Sequence, residues 1–139
     1  MSDFRLVIDA GVVLSSALFS HSVPAALVDW ALANCKVLIS DETMDELSTV
    51  FHRDKFDRYT TREARLEYLR VFTEKTHQVE IHTRTSACRD PKDNIYLDVA
   101  VNGGATHLVT GDNDLLVLNP FQGITILKAA AFLDWIKTR

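Results

Sequence analysis

The chain has 139 residues, 47% hydrophobic and 24% charged, with 15 Lys and Arg against 19 Asp and Glu for a formal net charge of −4. That composition excludes a disordered or low-complexity chain, and the length suits one domain over residues 1–139 whose core needs no disulfide or structural metal. Cys35 and Cys88 fit neither zinc-ligand spacing nor a disulfide framework, residues 1–5 do not open a secretion signal, and no apolar run could cross a bilayer, so a cytoplasmic protein without a membrane partner is expected.

Leu6-Val7-Ile8 reads as a short buried strand, with Asp9 where it stops and a helical turn or two over residues 12–18. Ser22 before Pro24 starts a helix that runs at helical spacing through Ala26, Leu27, Trp30, Ala31 and Ala33 to Asn34. Val37-Leu38-Ile39 is a second strand, and Ser40 or Asp41 caps a helix with Met44, Leu47, Val50 and Phe51 on its apolar face. The longest helix is expected over residues 61–76, with Ala64, Leu66, Leu69, Val71 and Phe72 inward, and residues 79–82 form the next strand. Pro91 opens a helix through Ile95, Leu97, Val99 and Ala100 that stops at Gly103-Gly104. A strand at 107–110, one helical turn at 114–118, a strand at 124–127 and a helix at 129–136 complete the chain.

Strand and helix alternate throughout, which argues for a mainly parallel sheet covered by helices. In such sheets the ligand crevice lies beyond the C-terminal strand ends, at the point where the strand order reverses. For the order 3-2-1-4-5, strands one and four flank that crevice, so Asp9 and Asp112 face each other across it. Carboxylates gathered there disfavour one another's charge, a conflict that a hard divalent cation resolves, and an oxygen donor set without paired His or Cys favours Mg²⁺ or Mn²⁺.

Each acid also has a structural reading. Asp90 before Pro91 is a strong N-cap, Asp93 falls in a first helical turn where the dipole favours a carboxylate, and Asp41 and Glu42 are ordinary first-turn acids. Glu46 shares a helix face with Glu42, a face that usually meets solvent, and Asp114 reads as the cap of the short helix containing Leu115 and Leu116. Asp9 and Asp112 follow apolar strands directly, where no cap is obviously required. The five histidines show no ligand spacing and read mostly as surface residues, and Gly103-Gly104 reads as a helix stop rather than a phosphate loop.

Four motifs in order carry a family resemblance: Val7-Ile8-Asp9 leading into Val12-Val13-Leu14-Ser15-Ser16-Ala17; Ser40-Asp41-Glu42 through Glu46-Leu47; Arg89-Asp90-Pro91-Lys92-Asp93; and Val109-Thr110-Gly111-Asp112-Asn113-Asp114-Leu115-Leu116. Together they resemble the PIN domain over nearly the whole chain, most closely a bacterial branch of toxin–antitoxin systems related to the VapC type. The resemblance implies a three-layer αβα PIN-like fold with a mainly parallel central sheet, and a metal-dependent endoribonuclease that leaves a 5′-phosphate and a 3′-hydroxyl. It implies catalytic and metal-binding roles for Asp9, Glu46, Asp93 and Asp112, with Asp114 as an accessory ligand, and Mg²⁺ or Mn²⁺ as cofactor. The implied partners are an RNA substrate, a cognate antitoxin and a second copy of the chain in a homodimer, for which Trp30 and Phe56 are candidate exposed contacts. The family usually reads Asp-Thr-Asn where this chain has Asp9-Ala10-Gly11, so a hydroxyl and a carboxamide beside the metal site are missing; losing such groups weakens metal affinity or rate by about ten- to a hundredfold. That departure motivates an alternative, a catalytically impaired PIN-like module that binds RNA or protein, and a phosphate-handling receiver domain is a third reading. Arg84, Arg89, Lys92, Arg53 and Lys55 are candidates for phosphate contact or for solvated surface charge.

Overall fold

Short apolar runs bounded by polar residues become the strands β1 (Arg5–Ile8), β2 (Lys36–Ile39), β4 (His107–Val109) and β5 (Thr125–Leu127), and the polar, exposed pair His77–Gln78 forms β3 at the sheet edge. The computed structural model describes residues 3–139. All neighbouring strands in the sheet are parallel, in the order β3-β2-β1-β4-β5, as expected from the sequence. Leu6, Val7 and Ile8 lie opposite His107, Leu108 and Val109, so β1 and β4 end side by side.

The helices are α1 (Ala10–Leu18), α2 (Val23–Asn34), α3 (Asp41–Phe51), α4 (Arg62–Glu74), α5 (Asn94–Asn102), α6 (Asn113–Leu116) and α7 (Ala129–Lys137), with single 3-10 turns at Asp54–Phe56 and Pro91–Asp93. They flank the sheet in the three-layer α/β arrangement of the PIN-like fold. Local chemistry sets their starts. The Ser22 hydroxyl accepts the Ala25 N–H at 3.2 Å, and Ser40 and Thr43 cap α3 reciprocally. Helix α5 packs across β1, β2 and β4 with Tyr96, Leu97, Val99 and Ala100 buried. It ends at Gly103, where a Cβ would sit 2.7 Å from Leu38 Cδ1, so only glycine lets the helix end approach β2 this closely. Among the described residues no single helix is long and apolar enough to cross a membrane.

Several local expectations are corrected. The strand expected at 79–82 is β3 at His77–Gln78; the Val79 N–H still reaches Ile39 O at 2.8 Å, but the amides of His82 and Thr83 turn to Asn102 Oδ1 instead. On α4, Ala64 is exposed and the inward position belongs to Arg65, which is fully buried. Its guanidinium donates to the carbonyls of Phe51 (2.9 Å), Thr60 (2.8 Å) and Arg53 (3.2 Å) and pairs with Asp57 at 2.9 Å. One cation thereby ties the carbonyl at the end of α3 to two carbonyls of the loop that follows it. His107 is buried rather than at the surface, and Cys88, in a loop read as polar, is buried as well. Trp30 and Phe56 are half-buried, Trp30 against Phe132, so they are not the exposed apolar contacts expected of them.

Candidate metal centre at the sheet switch point

Sheet register brings the first two acids together. The Asp9 N–H continues the ladder to Val109 O at 3.1 Å, and the Thr110 N–H reaches Leu127 O at 3.0 Å, so Asp9 and Thr110 emerge from adjacent strand ends. Asp9 is buried and caps α1, accepting the Val12 N–H at 2.9 Å on Oδ1 while the Thr110 hydroxyl donates to Oδ2. The same hydroxyl oxygen accepts the Asp112 N–H at 3.0 Å, and Asp112 in turn caps α6 by accepting the Asp114 N–H at 2.9 Å. Both acids that followed strands without an evident need for capping are therefore caps, and Asp114, read as the cap, lies two positions further on in the first turn.

The other two expected acids arrive on helical segments. Glu46 lies on α3 and Asp93 ends the 3-10 turn that Asp90 caps through the Lys92 N–H. Asp9, Glu46, Asp93 and Asp112 all line one cleft of about 720 Å³. Glu42, one turn before Glu46, is instead tied to Arg84, which also reaches the buried Asp98, so the two glutamates of one helix part company. Asp114 is not in the cleft wall: Arg89 grips it with two hydrogen bonds at 2.8 and 2.7 Å. Its carboxylate nevertheless clusters with those of Asp90 and Asp93, with candidate ligand oxygens within 4.8 Å of one another.

The electrostatics show a conflict of charge. Burial raises the pKa of Asp9 above the usual carboxylate range, against the hydrogen bonds from Thr110, Val12 and Gly111 that favour its ionised form. Asp93 is pushed up to about 7, first by burial and then by the Asp112 carboxyl within hydrogen-bonding reach. Arg89 holds Asp114 below the usual range. Oxygen donors, unmatched negative charge and no His or Cys in the wall are the chemistry of a hard divalent cation, so the residues present fit Mg²⁺ or Mn²⁺.

Two cleft groups had not been singled out from the sequence. Tyr96, buried on α5, accepts the Ala10 N–H at 3.2 Å, and burial together with Asp9, Glu46 and Asp93 nearby holds its phenol strongly protonated. Thr110 reads as an ordinary strand residue; its position two before Asp112 was the available signal. Of the candidate basic residues, Arg53 and Lys92 line the cleft and Lys128 joins them, whereas Arg84 and Arg89 are committed to carboxylates. Gly11 lines the cleft too, and a Cβ there would stand 3.6 Å from Asp9 Oδ1, an ordinary contact that leaves room for a side chain.

Comparison with known proteins bears on the fold and the family. The uncharacterized protein MJ1680 of the archaeon Methanocaldococcus jannaschii is 28% identical over 116 residues, covering 82% of this chain and 74% of that protein. Among solved structures, PAE2754 from Pyrobaculum aerophilum superposes with a TM-score of 0.68 at 18% identity, covering 98% of this chain and 91% of its own. A chain of VapBC2 from Rickettsia felis, a complex solved bound to a DNA fragment from their promoter, gives 0.59 at 12% identity, covering 88% and 97%. These two show a shared fold. PIN domains are generally nucleases that use divalent metals. A family model described as PIN domain matches residues 5–114, from β1 through the first turn of α6, and the chain belongs to that family.

Proposed function

We propose that this protein is a metal-dependent endoribonuclease and the toxin component of a toxin–antitoxin pair. One observation carries the reading: four carboxylates from four separate segments, Asp9, Glu46, Asp93 and Asp112, line a single cleft at the switch point of the sheet. The similarity to a chain of the VapBC2 complex supports the toxin assignment and a protein antitoxin as partner.

Asp9, Glu46, Asp93 and Asp112 would hold Mg²⁺ or Mn²⁺, with Asp114 supporting Asp93 from the rim. The cation supplies a water activated for attack and stabilisation of the charge that develops on the cleaved phosphate. The chain's own groups do the orienting. Thr110 donates to Asp9 and so fixes which oxygens of that carboxylate remain available. The Tyr96 hydroxyl, its oxygen already accepting from Ala10, keeps its own proton to donate toward the surrounding acids. Lys92, Arg53 and Lys128 in the cleft wall meet the phosphates on either side of the scissile bond.

The test is cleavage of a mixed RNA pool in Mn²⁺, Mg²⁺ and EDTA by wild type, Asp9→Asn and Asp112→Asn. Cleavage by wild type alone, abolished by EDTA and leaving 5′-phosphates, is the expected result. A second reading, a PIN-like binding module without activity, is favoured by Ala10 and Gly11 in the cleft wall. Inert wild type that also binds no metal would replace the first reading with this one.

A further inference from the structure

Among the described residues the large hydrophobics that remain exposed are Phe19, Val23, Tyr59 and Val117; of these Val23 lines the cleft, and Phe19 and Tyr59 touch each other. Phe19, at the corner between α1 and α2, and Tyr59, in the loop after α3, are 46% and 50% exposed, yet their rings meet edge to face with centroids 5.3 Å apart. Val23, four residues after Phe19, lines the cleft itself, as do Arg53 and Phe56 from the Tyr59 loop. Apolar surface left open beside a polar crevice marks a contact site for a partner.

Charge indicates which partner. The loop over residues 52–61 contains Asp54 and Asp57, but these are taken by Arg62 and by the buried Arg65. Arg53, Lys55 and Arg58 are left exposed with no ion pair among the described residues, in a chain whose net charge is −4. Arg58 lies over the Tyr59 ring at 5.3 Å and Lys55 over Phe56 at 5.2 Å, so cation and aromatic alternate along the loop. Single-stranded nucleic acid is bound by this combination of cations for the phosphates and rings for the bases, and every base has a face to stack. A duplex hides those faces. The loop is also fixed in advance, since Arg65 binds the carbonyls of Phe51, Arg53 and Thr60.

Resting on the ribonuclease reading above, we infer that Phe19 and Tyr59, flanked by Arg53, Lys55 and Arg58, form a platform on which unpaired RNA bases stack as the strand enters the acidic cleft. The nucleotides held on the platform are those on one side of the scissile phosphate, and they contribute to substrate affinity without touching the reacting atoms.

The experiment is binding of a short single-stranded RNA carrying 2-aminopurine to Asp112→Asn protein, by anisotropy and by quenching of the probe. Tyr59→Ala and Phe19→Ala are each expected to weaken binding about tenfold and to relieve the quenching. Tyr59→Trp restores both, an abasic nucleotide at the probe position removes the difference between the variants, and a duplex of the same sequence does not respond to Tyr59. Unchanged affinity and quenching in both alanine variants, with their fold confirmed by circular dichroism, overturn the platform. Variants that lower the sedimentation mass of the protein while leaving RNA affinity untouched also overturn it, in favour of contact between copies of the chain. Cleavage by wild type in Mn²⁺ separates this proposal from the one it rests on. If Tyr59-dependent RNA binding occurs without any cleavage, the nuclease reading fails and the platform stands; if wild type cuts and Tyr59→Ala cuts with the same KM, only the platform fails.

Discussion

The two ends of the central sheet are built on opposite terms. Where β1 and β4 end, Asp9, Asp93 and Asp112 crowd together, and the charged forms of Asp9 and Asp93 are disfavoured. Where the same strands begin, Phe4, His107, Phe132 and Trp135 pack against one another with ring centroids 4.7 to 5.7 Å apart. His107 is kept neutral there, its proton affinity lowered by burial and by Arg139, whose guanidinium lies over Phe4 and Trp135. The difference teaches that a fold can concentrate stability at one end of its strands and leave repulsion at the other, where a cation can later relieve it.

Removing the aromatic anchor is the strongest way to test that division. Phe132→Ala, at a fully buried position, is expected to lower unfolding stability by about 3–5 kcal/mol in urea titration while leaving the Mn²⁺ affinity proposed for the acidic cleft unchanged. A change in Mn²⁺ affinity of the folded variant would show that the two ends are coupled. Arg65→Met challenges the comparison from a third region, because this buried charge belongs to neither end. It is expected to cost about 2–4 kcal/mol, since three carbonyls lose their donor, and limited proteolysis should then open the loop over residues 52–61. The acidic end itself can be improved. Ala10→Thr with Gly11→Asn is expected to raise Mn²⁺ affinity or cleavage rate by about ten- to a hundredfold, read by isothermal titration and by RNA cleavage. No gain would mean that Tyr96, which already meets the Ala10 N–H, has taken over the orienting role.

The smallest expected effects are opposite slopes of stability against pH. Asp93 binds its proton more tightly in the folded than in the unfolded chain, so in EDTA its contribution falls as pH rises from about 3.9 toward about 7. Asp93→Asn should flatten that fall and raise the melting temperature at pH 7. His107 binds its proton less tightly when folded, so its contribution grows as pH rises toward about 6.5 and is lost below it. His107→Phe should remove that acid limb and leave the other. Melting curves between pH 4 and pH 8 check both, and parallel slopes in the two variants would defeat the comparison.

The sheet and the facing of Asp9 and Asp112 were legible in the sequence because both follow from alternation: apolar strands punctuate the chain, and the switch-point rule then fixes which strand ends face each other, whereas Glu46 and Asp93 came only from the family resemblance. The family motifs supplied what spacing could not, the choice of Glu46 over Glu42 on one helix face. Arg65 was not legible, because an arginine in an amphipathic helix is ordinarily a solvent residue; only its i+4 and i+7 neighbours, Leu69 and Phe72, hint at an inward position. The capping roles of Asp9 and Asp112 were hidden for a related reason, since a cap is recognised by the amide it accepts and that depends on how the chain turns after the strand. Asp98 likewise disappears into an apolar run, although its carboxylate, accepting the Thr85 N–H at 2.7 Å, holds the loop that leads to Arg89 and Asp90.

Thr110 has one hydroxyl for two tasks, donating to Asp9 and accepting the amide of Asp112. The Asp9 carboxylate and the turn that carries the Asp112 carboxylate therefore share one positioning atom and are not independent parts. In a double-mutant cycle, Asp9→Asn and Asp112→Asn should fail to add, and the discrepancy should vanish when Thr110→Val is the common background. A single methyl-for-hydroxyl exchange, which alters no net charge, would then decide whether two acids behave as a pair or as neighbours.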